Sequence, residues 1–137
     1  MLSKATNYAI WILVYMKMEN EKGNTPGVKE ISLKTGGPRF YIAKVLQQLV
    51  AKGIIKSAKG KGGGYSLDKN RPEITLKELL QEDETKKIFS SCVLGLKSCS
   101  SEMPCSLYNK WCLIMKDFDY FISTVTIQSI AEEDFKF

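Results

Sequence analysis

Glycine and proline cut the stretch from Val28 to Leu67 into lengths that admit only short elements, and the apolar spacing inside each length fixes the element. Val28 to Thr35 reads as a short helix with Val28 and Ile31 inward, stopped by the turn Gly36-Gly37. Pro38 opens a second helix at the first position, where a missing N–H costs nothing. In it Ile42, Val45, Leu46 and Leu49 recur at spacings of three and four and form the buried stripe. Arg39, Phe40, Tyr41, Lys44, Gln47 and Gln48 are left near its N-terminal half or on its outer faces. Gly53 ends this helix, Ile54 to Ser57 starts a strand, Lys59 to Gly64 is a turn, and Tyr65 to Leu67 is a return strand. The pattern is a winged helix-turn-helix, whose second helix presents its N-terminal residues to the major groove of DNA. Its hairpin tip is bare backbone, at Gly62 and Gly63, and two lysines, Lys59 and Lys61. Glycines let such a wing lie close to the sugar–phosphate surface, and lysines neutralise phosphates there.

Charge agrees with that reading. From Ile31 to Leu67 there are seven basic residues (Lys34, Arg39, Lys44, Lys52, Lys56, Lys59, Lys61) and no acidic one. The whole chain carries +5, so everything outside that window sums to −2. A basic block on a nearly neutral remainder is the footprint of a polyanion-binding surface. A solvated lysine-rich face has the same charge; the helix-turn-helix pattern separates the two. With 137 residues the chain is one domain, or a small domain with an appended element. No apolar run approaches the roughly 18–20 residues that cross a bilayer. The N-terminal apolar stretch has no small-residue cleavage site behind it. Its Tyr8, Ile12, Leu13 and Met16 recur at helical spacing, so it reads as an amphipathic helix capped by Ser3. The expected location is the cytoplasm, with no membrane partner.

Cys92, Cys99 and Cys105 sit on a short polar stretch, SSCVLGLKSCSSEMPC, with gaps of six and five residues. Cysteine is usually buried, so a run of it among Ser, Lys, Glu and Pro points to chemistry, and thiolates on a loop can converge on one soft metal centre. In a reducing compartment clustered Cys more often means metal or redox chemistry than disulfides. Structural zinc usually shows tighter pairs and, in a chain with no His, would need all four cysteines. Cluster, zinc and cluster-free thiol sensor all remain open on spacing alone. Cys112, seven residues past Cys105, reads as a small hydrophobe in a helix interface, with ligation as the alternative. No paired carboxylates, nucleotide loop or nucleophile–base constellation accompanies the cysteines, so no enzymatic activity is expected.

Between wing and cysteines, Thr75-Leu76-Lys77-Glu78 is a capping box opening a short helix through Leu80. After them Leu107, Trp111, Ile114, Phe118, Phe121 and Val125 alternate at four and three residues, the pattern of a helix packing along another helix. Alone, such a face would expose several large aromatics, which monomers rarely do. A homodimer is expected, with folding back on the chain's own domain as the alternative. The expected architecture is mostly α with a small β-hairpin wing. It comprises a winged helix-turn-helix over 1–82, a cysteine loop over 83–106, and a dimerisation helix with C-terminal tail over 107–137. Two equivalent reading helices suit a pseudo-palindromic double-stranded operator.

The segment FYIAKVLQQLVAKGIIKSAKGKGGGYSL closely resembles the winged-helix core of the IscR/NsrR/CymR family of bacterial transcription regulators, the GGGY at Gly62 to Tyr65 being its most recognisable piece. The opening LSKATNYAI resembles that family's first helix, and the three-Cys loop resembles the cluster loop of its iron–sulfur members. The resemblance implies a homodimeric repressor whose DNA binding is controlled by an iron–sulfur cluster, of two or four irons, sensing nitric oxide, redox or cluster status. It implies DNA contacts from Arg39, Phe40, Tyr41, Lys44, Lys59, Lys61, Gly62 and Gly63, and ligation by Cys92, Cys99 and Cys105. The fourth ligand departs from the family. Where some relatives have a His this chain has Tyr108, and where others take a carboxylate from the partner's first helix it has Asn7. Asn7 of a partner subunit or Cys112 are the remaining candidates.

Overall fold

The computed structural model describes residues 1–132 and 135–137. Helix α1 (Lys4–Glu21) starts at Ser3, whose Oγ accepts from the Thr6 N–H at 3.1 Å. The helix and its Ser3 cap are as the spacing predicts, but its buried surface is wider than one amphipathic stripe. Tyr8, Ala9, Ile12, Leu13, Val14 and Met16 are all buried, more than one stripe, because α1 is the post around which the other elements pack.

Helix α2 (Val28–Thr35) ends at Gly36, which turns left-handed at φ 71°. Gly37, buried beneath it, sits so close to α1 that a Cβ there would lie 2.7 Å from both Ile42 Cδ1 and Tyr8 Cε1. Helix α3 (Arg39–Ala51) buries Ile42, Val45, Leu46 and Leu49, as the spacing predicts. Pro38 takes the cap position, one residue earlier than expected; its extended ψ of 137° turns the chain into the helix, and its carbonyl accepts from Tyr41 and Ile42. Strands β1 (Ile55–Ala58) and β2 (Gly64–Leu67) pair antiparallel, Ile55 opposite Leu67 and Ala58 opposite Gly64.

Helix α4 (Leu76–Leu79) carries the expected capping box of Thr75 and Glu78. The segment expected to be loop from residue 83 instead begins as helix α5 (Glu82–Ser90), with its own capping box from Gln81 and Glu84. Its first turn carries Glu82, Asp83 and Glu84, and its last carries Lys87, the polarity a helix dipole favours. After the cysteine loop comes α6 (Tyr108–Thr124), then α7 (Ile127–Glu132). A bridge between Thr75 and Thr126, with Ile127 N donating to Ile74 O at 2.8 Å, pins the end of α6 beside α4 and lays α7 against α1. The C-terminal segment therefore reaches the core at Ile122 and Ile127, which are fully buried with Ile12, Leu13, Met16, Ile31, Ile42, Leu46, Ile74 and Leu79. Each such side chain contributes about 1.5–3 kcal/mol.

Candidate nucleic-acid interface and cysteine hollow

The core stripe of α3 faces α1, and this forces Arg39, Phe40, Lys44, Gln47 and Gln48 outward, where all are exposed. Tyr41 is different: it is half-buried, its ring edge-on to Tyr8 at 5.3 Å, with the Lys4 ammonium 5.8 Å from its centroid. Lys59, Lys61 and Gly62 are exposed at the hairpin tip and Gly63 is half-buried. Among the described residues, Arg39, Lys44, Lys52, Lys59 and Lys61 make no ion pair, whereas Lys56 meets Asp68 at 3.4 Å. Five uncompensated cations on one helix and one hairpin are what a polyanion requires.

The hairpin is held from behind. Asn20 at the end of α1 accepts from Leu67 N at 2.9 Å and donates to the carbonyls of Asn24 at 2.9 Å and Tyr65 at 3.4 Å. Tyr65 N donates to Pro26 O, and Thr25 Oγ1 donates to Gly62 O at 3.2 Å. Gly64 passes the loop so closely that a Cβ would lie 2.1 Å from Thr25 O, at φ 149°. Sequence reading missed Asn20, because nothing local marks a residue that bonds a strand over forty positions away.

The cysteine loop runs from Ser91 to Leu107 between α5 and α6. Cys92, Cys99, Cys105 and Cys112 are all free and half-buried, and all four line one hollow of about 960 Å³ together with Phe89, Trp111 and Tyr108. Cys112 thus shares the hollow of the other three. Among the described residues, no three Cys, His, Asp or Glu side chains stand close enough to hold a metal ion. Backbone amides of Leu96 and Leu94 hold the Cys92 thiol below its ordinary pKa, and the Cys92 sulfur pushes Cys99 above it. Trp111 Nε1 donates to Ser91 O at 3.3 Å, both residues lining the hollow. Asn7 is half-buried on α1, away from the residues that line the hollow within one chain.

Glu84 is the other residue the sequence did not single out, although its capping box with Gln81 is a legible signal. It is buried and accepts from Thr6 Oγ1 at 2.6 Å, Ser3 Oγ at 3.0 Å, Gln81 N at 3.4 Å, and the Ser3 N–H. It fastens α5, which leads into the cysteine loop, to the start of α1.

A winged helix with uncompensated cations on α3 and its hairpin is the arrangement of a DNA-binding regulator in class. The profile of the Rrf2 family, described as an iron-dependent transcriptional regulator, matches residues 2–133, and the chain belongs to that family. It is 28% identical over 130 residues to an Aquifex aeolicus protein named as an HTH-type transcriptional regulator, covering 93% of this chain and 89% of that one. It is 23% identical to the HTH-type transcriptional regulator IscR of Pectobacterium atrosepticum over 130 residues, 95% of this chain and 78% of that one. Its fold is similar to that of CymR, the global cysteine regulator of B. subtilis (TM-score 0.71, 18% identity, 96% of both chains). It is also similar to that of T. potens IscR (TM-score 0.70, 17% identity, 97% and 87%). These relatives are transcription regulators rather than enzymes, and Rrf2 regulators bind DNA. Among the described residues no helix is long and apolar enough to cross a membrane.

Proposed function

We propose that this chain is a homodimeric, cytoplasmic repressor that grips a pseudo-palindromic operator through Arg39, Phe40, Lys44, Lys59, Lys61, Gly62 and Gly63, with Tyr41 bracing the reading helix. On this reading an iron–sulfur cluster at the cysteine hollow sets its affinity. The observation that carries it is that four thiols open into one hollow whose two flanking helices are both fastened to the body, α5 to the start of α1 and α6 beside α4. The donor chemistry fits: soft thiolates on a polar loop are iron–sulfur ligands. Cys92, Cys99 and Cys105 would hold the group, with Cys112 or Asn7 of the partner subunit completing the set. When bound, the group supplies a link among the thiolates that nitric oxide or oxidation can break.

The rest is done by the chain. The loop must draw its thiols together to ligate, since they do not stand at ligating distance without a metal. Drawing in pulls on α5, which Glu84 locks to the start of α1, and on α6, which the Thr75–Thr126 bridge locks beside α4. Loop state is thereby converted into the angle between α6 and the winged helix, which spans residues 1–82 and α7. DNA affinity then changes by the difference in binding energy between the two arrangements.

The dimer is supported by α6. Its apolar stripe splits in two: Trp111, Phe118 and Val125 are half-buried against their own chain, while Leu107, Ile114 and Phe121, each seven apart, are 39%, 54% and 50% exposed. Leu113 and Tyr120 widen the outer stripe. Exposed large apolar side chains aligned along one helix support an interface there.

The test is binding of one promoter fragment at fixed salt by anaerobically purified, apo and nitric-oxide-treated protein. Three different affinities support cluster control; identical ones exclude it. A second reading is a cluster-free thiol switch, in which the free cysteines around the hollow respond by oxidation. A colourless anaerobic preparation whose DNA affinity follows oxidant would select it.

A further inference from the structure

Phe40 stands out on the reading surface. It is 79% exposed, the second residue of α3, with exposed Arg39 before it and exposed Lys44 one turn on. The chain gives it no packing role: Ile42, Val45, Leu46 and Leu49 take the inward face, and Tyr41 takes the contact with α1. A phenyl ring left in water among cations gains nothing for the fold, and phosphates offer it nothing either. In the major groove a single group matches an apolar edge, the 5-methyl of thymine. The first turn of the second helix is the part that reaches base edges.

We infer that Phe40 is a specificity-determining residue that packs on a thymine methyl in each half-site. The inference rests on the DNA-reading role given above to α3. The flanking cations place the ring: Arg39 and Lys44 bind phosphate or guanine edges and hold the first turn of α3 at groove depth, where Phe40 tests for the methyl.

Deoxyuridine provides the probe, since it keeps every hydrogen-bonding edge of thymine and lacks only the methyl. Duplexes are first selected in vitro with the full-length protein, prepared with and without air. Each symmetric pair of thymines in the selected site is then replaced by deoxyuridine and affinity measured at fixed salt. One pair is expected to weaken wild-type binding by about fourfold per half-site, the worth of one buried methyl. Phe40→Ala should bind the thymine and deoxyuridine duplexes equally, and Phe40→Leu should keep part of the discrimination, with unfolding midpoints unchanged in both. Wild-type indifference to deoxyuridine at every position overturns the assignment, as does undiminished discrimination in Phe40→Ala. Enrichment of no duplex at all overturns the DNA-reading role itself, and this assignment with it.

Discussion

Glu84 shows how much one side chain can organise. It is a buried carboxylate at the starts of two helices, taking hydrogen bonds from Ser3, Thr6 and Gln81 where both dipoles favour negative charge. Burial works against its ionisation, but the bonds from Thr6, Ser3 and Gln81 outweigh that and hold its pKa below the usual glutamate value of 4.5. A carboxyl depressed on folding stabilises the native state above its unfolded pKa, and that stability is lost as pH falls through the native one. Glu84→Gln should therefore cost about 1.5–3 kcal/mol in urea unfolding at pH 7. The gap between the two proteins should narrow as pH falls below 4.5 and through the lower native pKa, and a gap that stays constant with pH would remove the charge from the account. At the hairpin tip, Lys59→Ala and Lys61→Ala should each lower the slope of log affinity against log salt by about one. An unchanged slope would mean the tip does not touch phosphate.

Among the elements, the hairpin and α5 are the most instructive. A two-stranded hairpin is marginal by itself. This one persists because β2 is bonded on its outer edge by the loop before α2 and on its backbone by Asn20. Asn20→Ala should leave the melting temperature within a few degrees, yet weaken DNA binding several-fold by letting Lys59 and Lys61 swing away from phosphate. Combining it with loss of both lysines should bring no further loss, a non-additivity that a double-mutant cycle reads directly. Gly64→Ala is harsher. A Cβ would collide with Thr25 O, so about 2 kcal/mol or more of stability should go, measured by thermal unfolding. Helix α5 is the counterpart in sequence reading. Its capping box and charge polarity are legible in QEDETKK and place a helix where a loop from residue 83 is expected.

For the molecule as a whole, the exposed stripe and the cysteine hollow share α6, while the cationic helix and hairpin are α3, β1 and β2. Ile114→Glu with Phe121→Glu should leave the winged helix folded, because neither residue joins the core, and should shift sedimentation to that of a single chain. Operator affinity should fall with it, since two reading helices held together gain from each other's binding. If the double variant sediments as wild type does, the stripe is not the dimer contact. Converting Cys92, Cys99 and Cys105 to Ala should abolish any response of DNA affinity to nitric oxide while leaving the salt slope intact.

The amino-acid order alone settled the winged helix, because helix spacing, glycine stops and a basic window are local patterns read over a few residues at a time. It likewise located the thiols and the apolar repeat on α6. What only the folded chain decided are the relations between distant segments. These are the wrapping of α1 on several sides, the return of α7 into the core, the clamp of Asn20 on the hairpin and of Glu84 on α1, the turning of Tyr41 against Tyr8, and the sharing of one hollow by Cys112. Each depends on contacts between residues that are not sequence neighbours, from seven positions apart to more than seventy, and packing sets such contacts in three dimensions without leaving a period in the sequence.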